Sequence, residues 1–192
     1  MKSKIDSIYI RHDIHRIYQG DILRDFEYTE WACIEGNKVK MMVRTIPYLV
    51  ILTQDCDLKW DYNNHNNQVG NHDKFLHSIL VCPAYLSEEF RQGIHLEGLG
   101  FEMGKINSKI WGNVKNNQNQ RYHYLERDKE LNIPDLVIDF KHYYTIQRDL
   151  LYRGIKDHYI ATVNELFREA LSQRFSYYLS RIGVPLIPNE EN

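Results

Sequence analysis

The chain has no CxxC pair, no Walker-type glycine loop, no HExxH, no GxSxG elbow and no apolar run near the roughly 18 residues that span a bilayer. P-loop nucleotide hydrolysis, the common zinc-peptidase and serine-hydrolase sites and a membrane-spanning helix therefore have no sequence basis. A basic excess is missing too. A net charge of −2 over 192 residues is not that of a protein that coats nucleic acid, whose domain is usually basic. Cysteine is scarce and odd in number. Cys33, Cys56 and Cys82 each sit in or beside an apolar segment, which predicts buried free thiols in a reducing compartment. Residues 1–13 carry charges throughout and no apolar signal-type core, so the expected location is the cytoplasm, with no membrane partner.

What is present describes a globular chain. Hydrophobic residues make up 43% and charged residues 26%, a balance that rules out global disorder. The length suits one core, so a single domain spanning 1–192 is expected, with a barrel core at about 17–146 and a helix at about 162–183. Fourteen tyrosines suit sheets, half-buried surfaces and stacking sites.

Gly20-Asp21-Ile22-Leu23 reads as a turn entering a strand, and Glu35-Gly36-Asn37-Lys38 as a hairpin turn. Pro47 opens a strand over 48–53 that is apolar on both faces, hence central and doubly covered. Residues 61–73 hold five Asn and predict an exposed, dispensable loop. Residues 75–82 return as a strand ended by Pro83. A short helix follows with Ser87 as N-cap, then an irregular stretch over 98–120 and strands at 121–125 and 136–140.

At the C-terminus, Leu166, Phe167, Ala170, Leu171, Phe175, Tyr178, Leu179 and Ile182 recur at helical spacing. Residues 162–165 match a capping box led by Thr162, and Gly183 with Pro185 supplies the stop. Arg168, Arg174 and Arg181 fit a solvated polar face. The expected fold is mainly β with α: a small antiparallel sheet or barrel closed by a long C-terminal helix.

The chemistry-bearing stretch is Gln54-Asp55-Cys56-Asp57, which follows the five apolar residues 48–52 and Thr53. If the strand continues, Asp55 and Asp57 share one face. There they could hold Mg²⁺ or Mn²⁺ for hydrolysis, with His77 as the nearest candidate base. If the chain turns, the same aspartates cap a turn or a helix start. His65, His72, His77 and Cys82 are zinc-type residues, but their spacing matches no compact zinc signature. Arg121 and His123 alternate with Tyr122 and Tyr124, and Lys141 and Tyr143 alternate with His142 and Tyr144. Paired, these segments would form a ridge able to grip phosphate and stack bases.

Gly20-Asp21-Ile22, the Pro47-led strand and Ile79-Leu80-Val81-Cys82-Pro83 together resemble the PemK/MazF toxin superfamily, whose members are SH3-like barrels. The Pro47–Leu58 stretch is also similar to one found in a group of uncharacterised bacterial proteins. The toxin ribonucleases carry Arg directly before the strand-opening Pro and Thr or Ser two residues after the later Pro. Here those places hold Ile46 and Tyr85, and Arg44 is expected to point elsewhere. The resemblance therefore implies the barrel and an RNA- or DNA-facing surface without the toxin's catalytic pair. Gln54, Arg121, His123, Lys141 and Tyr143 would be the contact residues. The setting it implies is a bacterial toxin–antitoxin or phage-defence system with a protein partner encoded nearby. Two other functions stay open: a metal-dependent nuclease or hydrolase on Asp55, Asp57 and His77, and a plain interaction subunit.

Overall fold

The computed structural model describes residues 7–67 and 72–181. In chain order the elements are β1 (Tyr9–Ile10), β2 (Asp21–Glu35), β3 (Lys38–Ile51), α1 (Asp55–Asn67), β4 (Ser78–Leu86), α2 (Ser87–Gln92), α3 (Ser108–Lys115), β5 (Tyr122–Leu125), β6 (Leu136–Asp139), β7 (Tyr144–Gln147), α4 (Arg148–His158), β8 (Tyr159–Val163) and α5 (Glu165–Leu179). The strands form one sheet in the order β1-β8-β2-β3-β4-β6-β5, with β7 on the first half of β4. Every pair is antiparallel, and the sheet curls into a half-barrel.

Side-chain alternation builds two cores, one on each face. Leu49 and Ile51 join Leu23, Ile79 and Val81 under α1 and α4, where Leu58, Leu151 and Ile155 cover them. Val50 joins Ile22, Cys82, Ile138 and Phe140 under α5, through Leu171 and Phe175. The run 49–51 is thus covered on both faces, as its composition predicts. A third cluster of Tyr85, Phe90, Leu96, Val114 and Val137 lies under α2 and α3.

The β2–β3 hairpin turns at Gly36-Asn37, with Gly36 at φ +61°, a value that an L residue adopts only at a cost. Its outer half leaves the body: Trp31, Ile34, Val39, Met41, Met42 and Val43 are all exposed.

Other expectations need correction. The strand ends at Ile51 and α1 begins at Asp55, so residues 61–67 are helix rather than loop. Asn is a poor helix former, but Leu58 and Asp61 are both fully buried and hold the helix to the body. Residues 68–71 lie outside the described residues. The stretch 98–120 contains α3, capped by the Asn107 side chain, which accepts from the Ile110 N–H. Strand β4 runs through Pro83 to Leu86. Ser87 does not cap α2; its N–H goes to the Asp135 carbonyl.

Thr162 lies in β8 and donates to Asp21, so it caps nothing. On α5 only Leu171 and Phe175 are buried, whereas Leu166 and Leu179 face out. Ile182, Gly183 and Pro185 lie outside the described residues. Arg174 is no solvated charge, since its guanidinium donates to the carbonyls of Asn117, Asn119 and Tyr122. Of the thiols only Cys82 is buried; Cys33 and Cys56 are exposed.

Candidate functional site

The acidic stretch opens α1. The Gln54 carbonyl accepts the Leu58 N–H, and both Asp55 and Asp57 lie in the first turn, where the helix dipole favours negative charge. Asp55 is already engaged. Arg16 grips it through two hydrogen bonds of 3.0 and 2.9 Å, and the Gln19 N–H adds a third at 3.3 Å. Burial alone would raise the Asp55 pKa; the Arg16 hydrogen bonds and charge outweigh this and hold it below the usual carboxylate value. The Cys56 thiol is exposed beside Gln54 and Asp57. His77 is exposed ahead of β4, and among the described residues no hydrogen bond or ion pair joins it to Asp55 or Asp57. Nor do the described residues contain three His, Cys, Asp or Glu side chains placed to hold a metal ion. Of the two geometries that the sequence leaves open, the helix start is the one observed.

The Arg-His-Tyr-Lys ridge does not form. β5 alternates as expected, but both its faces are covered. His123 and Leu125 are buried, and burial pushes the His123 imidazole down to about 3, helped by the nearby Arg174 charge. Tyr122 and Tyr124 pack on Phe90 and Trp111. Arg121 is committed to the fully buried Asp139 by bonds of 2.7 and 2.5 Å. Lys141 is exposed, and Tyr143 is half exposed, edge-on to Phe175. Of the expected contact residues, Tyr143 lines the main cavity, and Gln54, Arg121, His123 and Lys141 do not.

That cavity, about 680 Å³, opens between the base of the β2–β3 hairpin, the segment after α2 and the residues around β7. Its size falls within the usual range of ligand sites, roughly 300–1,000 Å³. Tyr28 and Tyr144 stack within it at 5.6 Å and 24°, and Phe101 and Tyr143 form part of its rim. Tyr85 stands between two imidazoles. Its hydroxyl lies 3.1 Å from His142 Nδ1, and its ring meets His95 edge-on at 4.7 Å. His142 Nδ1 is also 3.5 Å from the Asp139 carboxylate, which Arg121 holds in place.

Burial lowers the pKa of both His95 and His142, with Asp139 opposing in each case, so both rings are neutral at pH 7. Burial also raises the Tyr85 and Tyr144 hydroxyls, which stay protonated. Three buried polar atoms here have no hydrogen-bond partner: His95 Nδ1, His95 Nε2 and Tyr144 Oη. The Glu89 backbone is close enough to favour the protonated His95 ring, but not in hydrogen-bond geometry. Buried groups of this kind are nearly always satisfied; these three are shielded from solvent and unpartnered at once.

Ile46, Tyr85 and Arg44 all line this cavity. Arg44 therefore faces the same side as Ile46, against expectation, because residues two apart on a strand share a face. Its guanidinium is paired with Glu30. Sequence reasoning missed His95 altogether and treated Tyr85 only as a departure from the toxin pattern. His142 and Tyr144 were visible only as members of the ridge. No local motif links residues 28, 85, 95 and 144; only the sheet register brings them together.

The chain matches no model of a known protein family and none of the curated proteins. Together the described residues form a curled antiparallel half-barrel carrying an aromatic, imidazole-edged cavity.

Proposed function

We propose that the protein is a PemK/MazF-like barrel without the toxin's catalytic pair, and that it binds single-stranded nucleic acid rather than cleaving it. One observation carries this reading. The positions where the resembled toxins keep their Arg and their Thr or Ser, here Ile46 and Tyr85, open onto one aromatic cavity. The stacked Tyr28–Tyr144 pair and the exposed rings of Phe101 and Tyr143 supply the platforms that single-strand binders use. Ile46 stands in place of the Arg and a protonated Tyr85 in place of the smaller hydroxyl, and the cavity's arginine, Arg44, is paired with Glu30 rather than free to stabilise developing charge. The hydrolase reading has no specific observation in its favour, because Asp55 is spent on Arg16. A role in a defence or toxin–antitoxin operon, with a neighbouring protein partner, rests on the resemblance alone.

Fluorescence anisotropy with labelled single-stranded RNA, single-stranded DNA and duplex tests the proposal. Single strands should bind and duplex should not. The salt dependence should be shallow, a log–log slope of about one to two phosphates' worth, since Arg44 is already paired with Glu30. Tyr144→Ala should weaken binding by about 1–3 kcal/mol, the worth of one stacked base. Equal affinity for duplex, or a steep salt slope unaffected by Tyr144→Ala, would point to non-specific charge binding and sink the reading.

A further inference from the structure

We propose that the outer half of the β2–β3 hairpin is a self-association surface, on which two copies of this chain pack the uncharged face of one hairpin against that of the other. The inference does not rest on the nucleic-acid reading.

Register divides this hairpin into two unlike faces. Residues opposite one another in an antiparallel pair share a face, as do residues two apart on a strand. Thr29 pairs with Val43, Ala32 with Met41 and Ile34 with Val39, the register shift at Glu30 keeping Thr29 and Ala32 on the same side. From Thr29 and Val43 out to the tip that face carries no charge, and Ile34 is 77% and Val39 63% exposed. The other face pairs Trp31 with Met42, Cys33 with Lys40 and Glu35 with Lys38. Its charges find partners within the chain: Lys40 lies 2.5 Å from Glu35, and Arg44 bonds Glu30.

An antiparallel sheet that alternates in this way packs its apolar face on something and leaves the other in water. Here the hairpin runs past the body. β8 pairs with β2 only as far as Leu23, and β4 meets β3 only from Tyr48, so among the described residues the outer strands have no strand neighbour but each other. A lone two-stranded hairpin is at best marginally stable in water. A cover on the apolar face supplies what it lacks.

The charge pattern selects the cover. From Asp25 to Glu35, β2 carries acids and no base; from Lys38 to Pro47, β3 carries bases and no acid. A two-fold pairing of copies edge to edge would set β2 against β2 or β3 against β3, like charge against like. Pairing β2 with the β3 of a next copy would match the charges, but it would leave the apolar face in water and grow without closing. Packing face to face buries the stripe with no charge trapped, and it closes at two copies. A lipid surface fits less well. Trp31, the residue type that seats best at a bilayer boundary, lies on the charged face instead. With six residues a side, against roughly 20–30 in a standard interface, the dimer is expected to be weak, with a dissociation constant in the micromolar range.

Sedimentation velocity of the full chain in reducing buffer, over a series from low micromolar to several hundred micromolar, provides the test. Wild type should shift from monomer to dimer across the series. Met41→Glu and Val39→Glu each leave an unpaired charge in the stripe and should weaken the dimer at least tenfold. Met42→Glu, on the other face, should leave it at wild-type strength. All three positions are well exposed in the single chain, so melting temperatures should stay near wild type. Should one stripe variant unfold, the other decides, together with the concentration dependence of wild type.

The inference is overturned if wild type stays monomeric throughout, if the dimer survives the stripe variants or is abolished by Met42→Glu, or if assemblies grow past two copies. Flotation with phosphatidylcholine–phosphatidylserine vesicles tests the lipid alternative. Binding that Met41→Glu abolishes would assign the stripe to a membrane surface and overturn the pairing; absence of binding supports it.

Discussion

At the scale of single residues, the clearest result is the use made of Asp55. An apolar strand that ends in Gln-Asp-Cys-Asp suggests chemistry, but here the first aspartate ties the start of α1 to Arg16, 39 residues earlier in the chain. The guanidinium is nearly buried and the carboxylate one-quarter exposed. Arg16→Ala should therefore cost about 1.5–3 kcal/mol, the usual worth of hydrogen bonds to a charged group. The pH dependence follows from the depressed Asp55 pKa. A carboxylate with a folded pKa below its unfolded value, about 3.9, contributes stability above that value and loses it as pH falls through the folded one. Urea unfolding of wild type and Arg16→Ala should accordingly converge below about pH 4. A gap that persisted unchanged into acid would show that Arg16 acts through packing alone. Sequence showed that the two carboxylates were special but not to what, because Arg16 lies in a stretch without periodicity and ion-pair partners leave no local pattern.

At the scale of elements, legibility followed how far each segment agrees with its own propensity. The β2–β3 hairpin was readable because turn residues and β-formers coincide there. α1 was not, because its last turns are Asn-rich and are held by long-range contacts: Asp61 is bonded to Arg148 at 2.6 Å and to the Leu76 N–H at 2.8 Å, and His65 stacks on Phe75. α4 was missed although Leu151 and Ile155 stand four apart on its buried face. Gly154 interrupts the pattern, and the structure shows why it is there. A Cβ at Gly154 would come within 2.8 Å of the Phe26 ring, which is itself 1% exposed and cannot swing away. Gly154→Ala should gain up to about 1 kcal/mol in helix propensity and lose about 1–3 kcal/mol to overpacking. A lower melting temperature is expected. A rise would mean that α4 can lift off β2 without loss. On α5, Leu171→Ala should cost about 2–5 kcal/mol through a core cavity, whereas Leu166→Ala, 61% exposed, should cost little.

At the scale of the whole molecule, antiparallel curling and double coverage could be inferred from strands that are apolar on both faces. The fastening of the segment from Ser7 to Asp21 could not, because it depends on a few polar contacts that leave no local pattern. The N-terminal segment is fastened to the body: the Tyr9 hydroxyl to the Glu126 carbonyl, the Ile8 carbonyl to the Asn164 N–H, and His12 Nε2 to Asp21 at 2.9 Å. Asp21 is fully buried, and it also accepts from the Thr162 hydroxyl at 2.6 Å and the Tyr18 N–H at 2.8 Å. Burial opposes charge on His12, but the hydrogen bond to Asp21, aided by the Asp13 carbonyl, prevails and raises its pKa. A histidine with a raised folded pKa contributes stability that is complete below the unfolded value, about 6.5, and fades as pH rises through the folded one. Wild type should therefore lose stability as pH rises from about 6.5 through the folded value, with net proton release on unfolding in that interval and none well below or above it. His12→Phe keeps a ring of similar bulk between Tyr18 and Tyr159 but cannot titrate. Its urea midpoint should lie below wild type at pH 6 and change less between pH 6 and pH 8. If the two proteins lose the same increment across that range, the N-terminal fastening is not governed by His12, and the pH dependence must come from another histidine.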